Sequence, residues 1–91
     1  MVKGKTTTGF SYEVNEKALH DAEFLELFAK VQNGDNLLVF EMIRKVLGDE
    51  QKQKLFDHCR TKDGMVPVEA VSSETAEIFQ KMSESVETKN S

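Results

Sequence analysis

At 91 residues and 10.3 kDa the chain has room for one domain, in a size range that buries only roughly 60 to 65% of its unfolded surface. Hydrophobic content of 38% and charged content of 31%, with six Phe to fill a core, oppose intrinsic disorder. A net charge of −4 opposes a nucleic-acid binder, which needs a clustered basic face, and no apolar run approaches the ~18 residues of a membrane span.

Residues 1–8, rich in Thr and Gly with Lys3 and Lys5 as the only basic bias, read as a flexible arm. Phe10, Tyr12 and Val14 then alternate with Gly9, Ser11 and Glu13, the period-two pattern of a strand buried on one side. Such a strand needs a partner for its backbone groups. Two remain open, the Met65 to Val68 stretch and the same strand of a second copy.

Asp21 is placed to cap a helix over Asp21 to Val31, with Glu23 in its first turn and Lys30 near its end, and Gly34 stops it. A second helix runs from Asn36 to Leu47, where Gly48 supplies the left-handed residue that ends helices. A third, Glu50 to Arg60, is polar except for the narrow stripe Leu55, Phe56 and Cys59, as in an outer helix. After the Asp63-Gly64 turn, Pro67 suits a first helical position. From there Val68, Val71, Ile78, Phe79 and Met82 gather on one face of a fourth helix. Periodicity ceases beyond Ser83, which predicts a disordered tail over 84–91. The expected architecture is mainly α: a small bundle of about four helices over residues 9–83, preceded by one short N-terminal β-strand.

The first two helices carry more apolar circumference than a one-layer core requires. At about 100° per residue, Leu38, Val39, Phe40, Met42, Ile43, Val46 and Leu47 sweep roughly 200° of the second, where a surface helix needs a stripe little over about 100° wide. Phe24, Leu25, Leu27, Phe28, Ala29 and Val31 do the same on the first. Part of that surface is expected to meet another molecule. Phe24, Phe28, Leu38, Phe40, Met42 and Ile43 are the candidate protein-binding residues.

No constellation for catalysis, cofactor or metal emerges. A calcium-loop frame over 59–70 ends in Ala70 where a bidentate Glu is required. Gly4 and Gly9 lack the spacing and Lys-Ser/Thr of a phosphate loop. His20 and His58 stand on different elements without ligand neighbours, and Glu26 with Lys30 makes an exposed i,i+4 pair rather than part of an acid dyad. Cys59, the single cysteine, reads as a small buried hydrophobe. A helix-turn-helix around Gly48 would present Lys52, Gln53 and Lys54 to DNA, but Asp49, Glu50 and Asp57 offset them.

The succession of the Phe10 to Val14 strand, Leu19-His20-Asp21, Gly34-Asp35, Val46-Leu47-Gly48-Asp49-Glu50-Gln51, Leu55 to His58, Asp63-Gly64-Met65-Val66 and Glu77-Ile78-Phe79 spans most of Phe10 to Phe79. In order and spacing it resembles the small tail-assembly chaperones of long-tailed (siphovirus) bacteriophages, encoded just upstream of the tape-measure gene. The polar third helix departs from that pattern. The resemblance implies a non-enzymatic helical protein without cofactor that forms homo-oligomers and binds tape-measure and tail-tube proteins in the host cytoplasm, with no nucleic acid or membrane partner. It also implies absence from the mature virion. Many members are made in a longer form by ribosomal frameshifting, with which the tail Thr88-Lys89-Asn90 is compatible. The alternatives are a small helical DNA-associated regulator and a structural or adaptor protein of the virion.

Overall fold

The Thr/Gly-rich N-terminus, expected to be a free arm, is a strand. In a computed structural model that describes the backbone of residues 2–90 and all their side chains except those of 36, 83 and 85–90, β1 (Val2–Lys5) pairs antiparallel with β2 (Ser11–Val14). Val2 faces Val14, Lys3 faces Glu13, Gly4 faces Tyr12 and Lys5 faces Ser11. The partner of the predicted strand within the chain is therefore the arm itself rather than Met65 to Val68. Period-two patterning hides this because β1 carries Lys, Gly and Lys and buries little. Its Gly4 is required by packing, since a Cβ there would overlap the buried Tyr12 ring.

The turn is closed by Thr6 N–H donating to the Phe10 carbonyl (2.9 Å) and Gly9 N–H to that of Thr6 (3.0 Å). By the alternation of an antiparallel ladder, the peptide groups of Lys5 and Glu13 then point away from the partner strand. Helical side chains meet both. Gln51 Oε1 accepts from the Glu13 N–H and its Nε2 donates to the Glu13 carbonyl, each at 2.7 Å. Lys81 Nζ donates to the Lys5 carbonyl at 2.6 Å. The hairpin edges are thus occupied from within the molecule at these positions, which disfavours strand pairing between copies there.

A 3₁₀ turn, Glu16–His20, leads into α1 (Ala22–Gln32). Asp21 caps α1 as expected, its carboxylate accepting from the Phe24 N–H at 2.8 Å and pairing with Lys45 at 3.3 Å. A second 3₁₀ turn, Asn36–Leu38, precedes α2 (Val39–Cys59), and the Thr61 to Met65 turn leads to α3 (Val68–Asn90). The molecule is mainly helical, with three helices rather than about four. The segments expected as the second and third are one element broken at Gly48, whose φ of 85° and ψ of 165° are non-helical. Helical backbone in α3 extends to Asn90, so it covers the segment expected as a disordered tail, whose side chains beyond 84 lie outside the described set.

The core joins Phe10, Tyr12 and Val14 of the hairpin to Phe24, Met42, Ile43, Val46, Leu47, Leu55, Val71, Ile78 and Met82. α2 sits at its centre, touching α1, α3 and β2. That placement absorbs most of the apolar arc of α2. No described helix is long and apolar enough to cross a membrane.

Four carboxylates, Asp21, Glu41, Asp63 and Glu77, are held below their usual range, and of these Asp21 and Glu77 bond between elements distant in sequence. The Phe24 N–H, with Lys45 beside it, holds Asp21 below the usual carboxylate range despite some desolvation. Desolvation pushes Glu77 up, but hydrogen bonds from Lys81 and from the Thr7 N–H and hydroxyl outweigh it and leave Glu77 depressed as well. A depressed folded-state pKa stabilises above the unfolded value, near 4, and that stability is lost as pH falls through the folded value. The melting temperature is therefore expected to drop on acidification below about pH 4. Asp21→Asn, which keeps a capping oxygen and removes the charge, should flatten that drop when unfolding is followed by circular dichroism across pH.

Candidate functional site

Of the six residues selected as a binding surface, three belong to the interior. Phe24 is 2% exposed, and Met42 and Ile43 are 1% exposed. The angular width of an apolar arc counts side chains but not the layers stacked against them, and here α2 has neighbours on several sides. Leu38 and Phe40 are half-buried, and the Phe40 ring packs edge-on against Phe56 at 6.0 Å on the second half of α2. Phe28 remains exposed, at 37%.

Phe28 opens onto a groove of about 350 Å³ between α1, the start of α2 and the middle of α3. Its apolar lining is Phe28, Val31, Val39, Met42, Ala76 and Phe79, and its polar margin is Gln32, Ser72, Thr75 and Gln80. No lining residue is charged, in a chain that is 31% charged. Helical spacing builds each wall. Phe28 and Gln32 are one turn apart on α1, Val39 and Met42 on α2, and Ser72, Ala76 and Gln80 follow at four-residue steps on α3. Beneath them Phe24 meets Phe79 in a T-shaped contact (5.5 Å) and Phe28 in a tilted one (6.2 Å), so the exposed ring rests on a rigid aromatic floor. Thr75 gives its hydroxyl to the Val71 carbonyl at 2.7 Å, which takes that group out of the groove's polar inventory.

One turn before Phe28, Leu25 is 49% exposed, and Leu37 at the end of α1's connection to α2 is 72% exposed. The volume suits two or three large apolar side chains rather than a flat protein surface. Of this lining, sequence reasoning selected Phe28 and Met42 and left out Val31, Val39, Ala76 and Phe79. Phe79 was visible on the apolar stripe of the last helix, but nothing in that stripe separates a residue that floors a groove from one sealed in the core.

A second, polar cluster lies at the hairpin turn. Thr8 Oγ1 donates to the carboxylate of buried Glu74 and contacts His58 Nε2 at 2.9 Å, while Glu77 receives the N–H and hydroxyl of Thr7. It pins the hairpin to α2 and α3. Burial, followed by the charge of Glu74, pushes the Cys59 thiol up and disfavours the reactive thiolate. Among the described residues no three His, Cys, Asp or Glu gather where they would hold a metal ion.

Comparison of this chain with protein-family models, with curated proteins and with solved structures finds no match.

Proposed function

We propose that this chain is a non-enzymatic tail-assembly chaperone of a long-tailed bacteriophage, which self-associates and holds an apolar helical segment of the tape-measure or tail-tube protein in the host cytoplasm before assembly. The observation that carries the reading is the uncharged groove at Phe28, an open apolar site in a small, otherwise charged molecule. A helix laid in such a groove anchors through residues spaced three and four apart, and burying each large side chain contributes roughly 1.5 to 3 kcal/mol before ordering costs.

Charge placement on α2 supports a protein partner over DNA. Arg44 pairs with Glu41 at 2.8 Å, Lys45 with Asp21 and Glu23, and Lys54 with Glu50 at 3.5 Å; just past the helix Arg60 pairs with Asp57 at 3.1 Å, while the Lys52 ammonium lies over the Phe56 ring at 5.6 Å. Cations so neutralised do not form the positive field that phosphate binding requires.

The test is binding of the tape-measure protein, followed by sedimentation, to the wild type and to Phe28→Asp. Because Phe28 is exposed, the variant should keep its thermal unfolding profile while its Kd rises roughly 30-fold, the ~2 kcal/mol of a hot-spot side chain. Unchanged affinity in a folded Phe28→Asp variant would remove the groove from the reading. Mass spectrometry of purified virions separates a chaperone, absent from them, from a structural protein of the particle.

A further inference from the structure

We propose that Gln51 is the catch of a hinge at Gly48. Gly48 divides α2 into halves 39–47 and 49–59, and its φ of 85° with ψ of 165° lies in a region essentially reserved for glycine. Each half has its own anchor: Met42, Ile43, Val46 and Leu47 are buried in the first, and Leu55 in the second. Between Leu47 and Leu55 no residue is fully buried, and Gly48, Asp49 and Glu50 are exposed. The turn that follows the break is therefore not held by apolar packing.

The Gln51 side chain holds it with hydrogen bonds instead. Nε2 donates to the Leu47 carbonyl at 2.8 Å, on the first half of α2, and to the Glu13 carbonyl at 2.7 Å. Oε1 accepts from the Glu13 N–H at 2.7 Å. A carboxamide has the donor and acceptor of a peptide group, so Gln51 meets the outer edge of β2 as a residue of a third strand would, while its second N–H crosses the break. One side chain thus ties both halves of α2 to the hairpin.

No other residue type of this length does all three. A Glu accepts from Glu13 but donates nothing, and a Leu fills the space without a bond. Val39 and Met42 of the groove stand on the first half, which has its own buried anchor, so the catch does not rest on the proposed client site.

Amide hydrogen exchange on the full chain, read residue by residue without a client, tests it. In Gln51→Leu the Glu13 amide and those of 49–53 should exchange at least ten-fold faster, while the amides of 42–46 and 71–78 keep their protection. Gln51→Glu should keep the Glu13 amide slow and release 49–53. The proposal is overturned if the Glu13 amide of Gln51→Leu exchanges at the wild-type rate, or if the core amides accelerate in step with it. Failure of the wild-type chain to bind the tape-measure protein would count against the groove and leave these exchange rates as they are.

Discussion

Met42→Asp is expected to abolish the cooperative unfolding transition, with loss of most of the helical circular dichroism at 25 °C. Met42 is 1% exposed and contacts the groove from its floor. Truncating a buried Met costs about 2 to 5 kcal/mol, and an unpaired carboxylate in the same place adds several more. Together these rival the whole stability of a domain this size, which by the usual per-residue figures is about 5 to 13 kcal/mol. Phe28→Asp, one layer further out, should melt nearly as the wild type does. The pair separates two roles that a helical projection assigns to the same surface. A Met42→Asp variant that stays folded and merely loses partners would place Met42 at an interface instead.

The second large effect concerns Gly4→Val. A side chain at this position overlaps the Tyr12 ring on the facing strand, and the residue is 5% exposed. Expelling a buried aromatic costs about 3 kcal/mol, a fall of roughly 15 °C in melting temperature for a domain this small. The readout is direct, because Tyr12 is the only tyrosine and there is no tryptophan. Its near-ultraviolet absorbance should shift toward that of a solvated phenol, and burial's upward push on its pKa should be relieved. Helical circular dichroism should persist at low temperature, since α1 and α3 make no hydrogen bond through Gly4. A variant with an unshifted tyrosine spectrum would mean that β1 tolerates a Cβ and that the hairpin is not seated as described.

The second expectation traces to the N-terminal strand, which is also where sequence reading and structure part. Lys3, Gly4 and Lys5 carry no hydrophobic period, so the local pattern for a strand is absent. What makes β1 a strand is non-local: the register that sets Gly4 against Tyr12, the Lys81 ammonium on the Lys5 carbonyl, and Thr7 and Thr8 held by Glu77 and Glu74, more than sixty residues away. None of those partners is visible in a window of neighbouring residues. With α1, α3 and β2 all packed against α2, its wide arc ceases to be surplus. Met42 and Ile43 are then core residues by geometry, although their spacing is equally that of a binding face.

Elsewhere local chemistry was enough. The cap at Asp21 and the breaks at Gly34 and Gly48 follow from short-range hydrogen bonding and backbone sterics, which a few adjacent residues encode. So does the narrow stripe that buries Leu55, half-buries Phe56 and Cys59 and leaves Gln53, Lys54 and Asp57 wet. The break at Gly48 is local, whereas the tie from Gln51 to Glu13 is a contact across thirty-eight positions. Local pattern thus places the helix starts and the apolar side of each helix, because those are properties of a single segment, while the extent of α3 to Asn90 escapes it. Only the tertiary structure decided which apolar side chains are spent on the molecule's own interior and which are left in the groove at Phe28, because burial is a property of how many layers meet.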